Sequence, residues 1–262
     1  MGTRGDNSMK TYKLIACAFL AALAFILQVS NEVLGIPTGF GMTIDLAAVP
    51  IMIALFIFGA EYAFLTLMVL GAIILISSPT GVVGSVMKVG ATLPMIIIPY
   101  YVAKSKNALQ QAYVLAVAVL GTIALFYITT EIYSSLRGGV LEYFVGLVPI
   151  GVLLGLAYFA GRGKARPDLS DAKVAAFALL LAIIARGAIA TVANLYFAGP
   201  VFFHISADAF IGLLDSLELP LLGSGMGWFV IFFWNAVLGI IEFAVAWMLA
   251  YRFGLAKRYG ED

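Results

Sequence analysis

The chain has 262 residues, 63% of them apolar and only 11% charged, with a formal net charge of +1. A soluble domain carries about a quarter charged residues, so this composition cannot present a solvated surface and indicates an all-α polytopic membrane protein. One cysteine (Cys17) and one histidine (His204) exclude a disulfide framework and the usual zinc sites; a Ser-His intramembrane protease centre would need His204 itself at the centre.

The polar stretch Met1–Ser8 is not followed by a short apolar core with a small-residue cleavage site, so it reads as no cleavable signal peptide. A helix that crosses lipid needs about 20 mainly apolar residues. The first such span is Lys13–Val33. Between Phe40 and Ser77 the apolar run exceeds one span, and Gly59-Ala60-Glu61 interrupts it. This gives a hairpin of two shorter spans, Phe40–Phe58 and Tyr62–Ser77, with a re-entrant hairpin that never crosses as the alternative. Val82–Val102, Ala112–Tyr133, Leu141–Ala160, Val174–Phe197 and Trp228–Tyr251 complete about eight spans in one transmembrane domain over 1–262. Between the last two, Ser206–Leu219 reads as an interfacial amphipathic helix with Phe210, Ile211, Leu214 and Leu217 on one side, ended by Pro220. His204, just after Pro200, reads as a solvated loop residue. Gly223-Ser224-Gly225 and Gly81-Val82-Val83-Gly84-Ser85 lack the strand-to-helix context and the lysine of a phosphate loop, and read as turn or helix-packing glycines. Nothing in the chain points to nucleic acid.

Positive charge sets the orientation, because cytoplasmic loops retain Lys and Arg. Arg4, Lys10, Lys13, Lys104, Lys106, Arg162, Lys164, Arg166, Lys173, Arg252, Lys257 and Arg258 all fall on one side of eight spans, and only Arg137 falls in a loop on the other. The opposite loop Gly199–Gly227 carries Asp208, Asp215 and Glu218. Both termini are therefore expected in the cytoplasm.

Ala18 and Ala22 in the first span share a helix face. Small residues at that spacing permit close helix approach, either within this bundle or against another membrane protein. Ionisable and amide groups inside spans are costly and mark functional positions. Lys88, Asn194 and Asn235 fall at similar depth in the outer part of three separate spans and are expected to line one outward-facing pocket. Arg186 and Glu242 lie seven to eight residues further in on antiparallel spans, roughly 10–12 Å below the asparagines. They are expected to form a structural ion pair beneath the pocket, with an ion relay as the alternative. Tyr196, Phe197, Phe202, Phe203, Trp228, Phe232, Phe233 and Trp234 crowd the outer span ends as an interfacial aromatic belt; Trp234, beside Asn235, is also a candidate for stacking on a flat ligand. The Gly/Pro loop Gly35–Gly41, which contains Phe40, and the amphipathic helix are the two elements that could cover the pocket.

Several segments carry a family pattern. They are Ala18-Phe19-Leu20-Ala21-Ala22-Leu23-Ala24, then Ile44-Asp45-Leu46-Ala47-Ala48-Val49-Pro50 with Phe56-Ile57-Phe58-Gly59, then Pro79-Thr80-Gly81 through Leu93-Pro94. Ala193-Asn194-Leu195-Tyr196-Phe197 with Pro200, and Trp234-Asn235-Ala236-Val237-Leu238-Gly239, complete the series. In their order and sides these resemble the substrate-binding S component of energy-coupling-factor (ECF) vitamin transporters, nearest the riboflavin-binding branch. The resemblance covers about three quarters of the chain. It implies a six-helix bundle that binds riboflavin or a related flavin for ATP-driven uptake, with no enzymatic activity and no cofactor or metal of its own. Asn194 and Asn235 would hydrogen-bond the ligand, the first outside loop with Phe40 would be its lid, and the alanine face with Ala18 and Ala22 would dock a transmembrane coupling protein driven by two cytoplasmic ATPases. The chain departs from that pattern at Leu238, where the riboflavin branch carries a lysine, and at Lys88, where it commonly carries an uncharged polar residue. Lys88 is accordingly expected to supply the pocket cation. The helix pair within 112–160 has no counterpart in the six-helix bundle and reads as an insertion. The competing classes are an autonomous secondary transporter, a binder of another vitamin-like molecule, and a membrane enzyme, the last opposed by the shortage of histidine and of paired carboxylates.

Overall fold

The structure is a computed structural model and describes residues 3–34, 36–37, 43–79, 81–104, 168–216 and 227–260. The helix pair expected within 112–160, the loop residue Phe40, and Leu217 and Pro220 lie outside the described residues. Among those described, five helices are long and apolar enough to cross a membrane, at Lys10–Ser30, Ala60–Ser77, Gly81–Lys104, Ala172–Phe203 and Gly227–Arg252. The protein is an all-α polytopic membrane protein, and its one described β feature is a two-residue antiparallel ladder, β1 (Ile36–Pro37) with β2 (Thr43–Ile44).

Helix α1 (Thr3–Leu34) runs along the edge of the bundle. It turns Cys17, Ala21 and Ala24 inward against its neighbours and leaves Leu14, Ile15, Phe19 and Ile26 exposed. Ala18 and Ala22 are also exposed, so the small residues that pack within the described bundle are their neighbours on the other face.

The expected span Phe40–Phe58 is corrected by the structure. Helix α2 covers only Ala48–Phe58, and a short turn after β2 precedes it. Its 11 residues reach about 16 Å, roughly half a membrane crossing. Two local features set the late start. The Asp45 carboxylate takes the Ala47 N–H at 2.9 Å, a local bond that competes with helix, and Pro50 is tolerated only in a first turn. Ala48 through Ile57 are all buried, as expected for a helix that is apolar all round.

Gly59 separates α2 from α3 (Ala60–Ser77), with φ 100° and its N–H on the carbonyls of Ala54 and Leu55. Only glycine adopts that backbone without strain. The turn sits at the bundle end that holds the start of α1: Tyr12 meets Phe58 at 6.2 Å between ring centroids, and the Lys13 ammonium lies 5.7 Å from the Tyr62 ring. The chain thus runs from the far end of α1 to this end through the turn and the half-length helix.

Helix α4 (Gly81–Lys104) packs on α3 and on α5 (Ala172–Ala193), and α5 packs in turn on α8 (Gly227–Trp247). Asp171 caps α5 by accepting from the Lys173 N–H at 2.7 Å. The contact between α5 and α8 is close because Gly187 carries no Cβ; one built there would lie 2.5 Å from the Phe232 ring. Beyond Ala193 the helix widens into a π turn, Asn194–Ala198, and continues as α6 (Gly199–Phe203). Pro200 accounts for the widening, since its ring lacks an N–H and crowds the preceding turn. His204 follows, exposed and left-handed at φ 54°.

The expected amphipathic helix is α7 (Ala207–Asp215), capped by Ser206 and burying Phe210 and Leu214. A second π turn, Met248–Arg252, and α9 (Leu255–Tyr259) end the described chain at the end where α1 begins. Trp247 and Tyr251 bond there to the backbone of Leu169.

Candidate ligand-binding site

Four ionisable side chains meet where α2 begins. Glu242, on α8, is fully buried and takes Arg186 of α5 at 2.5 Å on one oxygen. Its other oxygen accepts the Ala48 N–H at 3.2 Å. A helix that starts inside the bundle exposes unpaired N–H groups and a partial positive charge, and a carboxylate answers both. Asp45 and Lys88 form the second pair. The Lys88 ammonium donates to both Asp45 oxygens, at 2.6 and 2.7 Å. The carboxylate and the ammonium thus lie in direct contact as an ion pair. Two cations and two anions therefore balance at this level.

Above this layer is a cavity of about 400 Å³, lined by residues of the long helices α1, α4, α5 and α8 and of the segments between α5 and α8. Its walls include Gln28 of α1, Asp45, Gly84 and Lys88 of α4, Arg186 and Asn194 of α5, and Asn235 and Leu238 of α8. Phe202 and Phe203 of α6 and Phe210 of α7 close the opposite side, the last two stacked at 5.3 Å with 27° between planes. The size lies in the range of small-molecule sites, and the mix of an apolar lining with a few convergent polar groups is typical of them.

Both asparagines are held by their own helices. The Asn194 amide donates to the Ala190 carbonyl at 2.8 Å, and the Asn235 amide to the Ile231 carbonyl at 2.9 Å. One N–H of each amide is thus spent on orientation. Asn194 also opens the π turn, which swings the following turn toward α7, and π turns are frequent at functional sites.

The cavity brings together Lys88, Asn194 and Asn235, the three side chains the sequence grouped. One expectation needs correction. Trp234 does not line the cavity; it packs on a smaller apolar cluster with Leu195 and Ile231. Neighbours on a helix point about 100° apart, so a residue beside a cavity-facing asparagine faces elsewhere. Lys88 lines the cavity, and Asp45 pairs with its charge there. Asp45 and Gln28 were missed as site residues. The signal for Asp45 was available: a lysine inside a span requires a nearby carboxylate, and Asp45 stands directly ahead of the apolar run Leu46–Phe58.

No protein-family profile, curated protein or solved structure matches this chain.

Proposed function

We propose that this chain is a substrate-binding S subunit of an ECF-type importer in the cell membrane, taking riboflavin or a related flavin into the cavity between α4, α5 and α8. In this reading the end with α6 and α7 faces outward, and both termini are cytoplasmic. The exposed face of α1 with Ala18 and Ala22 meets the transmembrane coupling protein, and two ATPases supply the work, so the subunit itself performs no chemistry. The observation that carries the reading is the convergence of Lys88, Asn194 and Asn235 from three helices on one cavity of ligand size. The stacked Phe203–Phe210 pair adds a flat apolar wall suited to a planar ring system.

The test is direct. Protein purified from cells grown in rich medium is expected to be yellow and to release a flavin on denaturation. The flavin-free protein is expected to quench riboflavin fluorescence at a 1:1 ratio. A preparation without flavin that also leaves added riboflavin unquenched sinks the flavin assignment.

One observation favours a second reading, an autonomous secondary transporter. A half-length helix that begins beside the site is a device such transporters use. Uptake by cells that lack any ECF ATPase would decide for it.

A further inference from the structure

We propose that Arg186 reads the ligand as well as pairing with Glu242: its remaining guanidinium N–H groups bind a pair of neighbouring sp² acceptors, at least one of them a carbonyl or carboxylate oxygen, at the ligand's buried end. This rests on the cavity being the ligand site but not on the ligand being a flavin.

A guanidinium has five N–H donors in a fixed fork. Arg186 is 2% exposed, lines the cavity, and spends one nitrogen, Nη1, on Glu242, while its Nε is buried with no partner. A buried unpaired donor on a cation is costly, and proteins keep such groups where a ligand satisfies them. The carboxylates nearby are committed. Glu242 accepts from Arg186 and Ala48, and Asp45 accepts from Lys88 and Ala47. The floor therefore has donors to offer, while each of its carboxylate oxygens already accepts a hydrogen bond. Gln28, in the α1 wall, has the opposite need, a buried Oε1 without a partner, which suits a ligand N–H. A ligand end that presents two adjacent sp² acceptors meets the floor. A carboxylate provides such a pair, and so does a flavin, where a carbonyl oxygen stands beside a ring nitrogen without hydrogen, O2 with N1 or O4 with N5.

The experiment uses the full chain in detergent. Arg186→Lys keeps the cation facing Glu242 but removes the lateral N–H groups. Its riboflavin affinity is expected to fall at least tenfold, with the ligand-free thermal midpoint and elution volume unchanged. Should that variant misfold, the comparison is made on the ligand side with the wild-type protein: 2-thio- and 4-thioriboflavin, whose sulfur is a poor acceptor, against riboflavin. At least one is expected to bind tenfold more weakly. If the wild-type protein ignores riboflavin, the flavin reading falls, and nicotinate, biotin and pantothenate are each compared with the corresponding primary amide by thermal shift. A carboxylate that stabilises the protein while its amide does not then supports the Arg186 proposal by itself. The proposal is overturned if folded Arg186→Lys, or both thio analogues, bind within twofold of the reference. Wild-type protein that binds nothing in either panel overturns it as well.

Discussion

At the scale of single residues, the two ion pairs differ in what their removal should do. Glu242 holds both a buried cation and the first N–H of α2. Replacing it by glutamine leaves Arg186 charged and unmatched, which typically costs about 3–5 kcal/mol for a buried pair. Glu242→Gln is therefore expected to lower the thermal midpoint in detergent strongly, and adding Arg186→Met should recover part of the loss; a double variant no better than the single one would show that the pair is not the source. Lys88 lies in the more accessible pair, at 13% exposure against 15% for Asp45. Lys88→Met should reduce both stability and riboflavin affinity. Adding Asp45→Asn should restore stability without restoring affinity, which separates ligand contact from mere neutralisation of Asp45. Recovery of both by the double variant would remove Lys88 from the binding reading. Lys88, Asn194 and Asn235 were legible in the sequence because each is a polar residue inside an apolar helix. Asp45 was legible by the same rule, because a lysine inside a span calls for a nearby carboxylate, and Trp234 was misread because adjacency in sequence is not adjacency on a helix face.

At the scale of elements, glycines set the helix ends and contacts on which the cavity depends. Gly59 holds φ 100° and ψ 177° between α2 and α3, a region that costs an L residue roughly 1–3 kcal/mol. Gly59→Ala should lower the unfolding free energy by about that amount, read from denaturant unfolding in mixed micelles; an unchanged midpoint would mean the turn has another accessible backbone. Gly199 acts differently. A Cβ there would stand 2.7 Å from the Asn194 carbonyl oxygen and 2.7 Å from the Phe210 ring, so the π turn or α7 must give way. Gly199→Ala is expected to weaken ligand binding more than it lowers stability, because the displaced elements form the cavity's cover. The long helices α1, α3, α4, α5 and α8 follow from apolar length alone, and their ends fall within a few residues of the sequence reading except at the start of α1, which begins at Thr3, ten residues ahead of the expected Lys13, through a polar stretch that apolar length does not reveal. The half-length α2 and the π turn at Asn194 do not, because each results from a bond or clash that no hydropathy pattern carries: the Asp45 carboxylate on the Ala47 N–H, Glu242 from a helix 194 positions away in sequence, and the ring of Pro200.

At the scale of the whole molecule, the two ends of the bundle differ in charge, and the proposed orientation in a membrane rests on this difference. Lys10, Lys13, Lys173, Lys257 and Arg258 lie at the end where α1 and α5 begin and α9 finishes, beside the Tyr12–Phe58 and Trp247–Leu169 contacts. Arg252 joins them, its guanidinium 5.2 Å from the Trp247 ring, and Lys104 stands there at the end of α4. At the opposite end, α7 carries Asp208 and Asp215, the latter accepting from the Gly227 N–H at 2.6 Å. Positive loops are retained in the cytoplasm, so α7 and the cavity beneath it should face outward, the side from which an importer must load. In a Cys17→Ala background, a membrane-impermeant maleimide applied to intact cells is expected to label Asp208→Cys at the exposed face of α7. Ser170→Cys and Lys257→Cys, both at exposed positions, should react only after the membrane is opened. The reverse pattern would place the cavity toward the cytoplasm, where it could serve release but not capture, and would end the importer reading while leaving the bundle and its ion pairs as they stand.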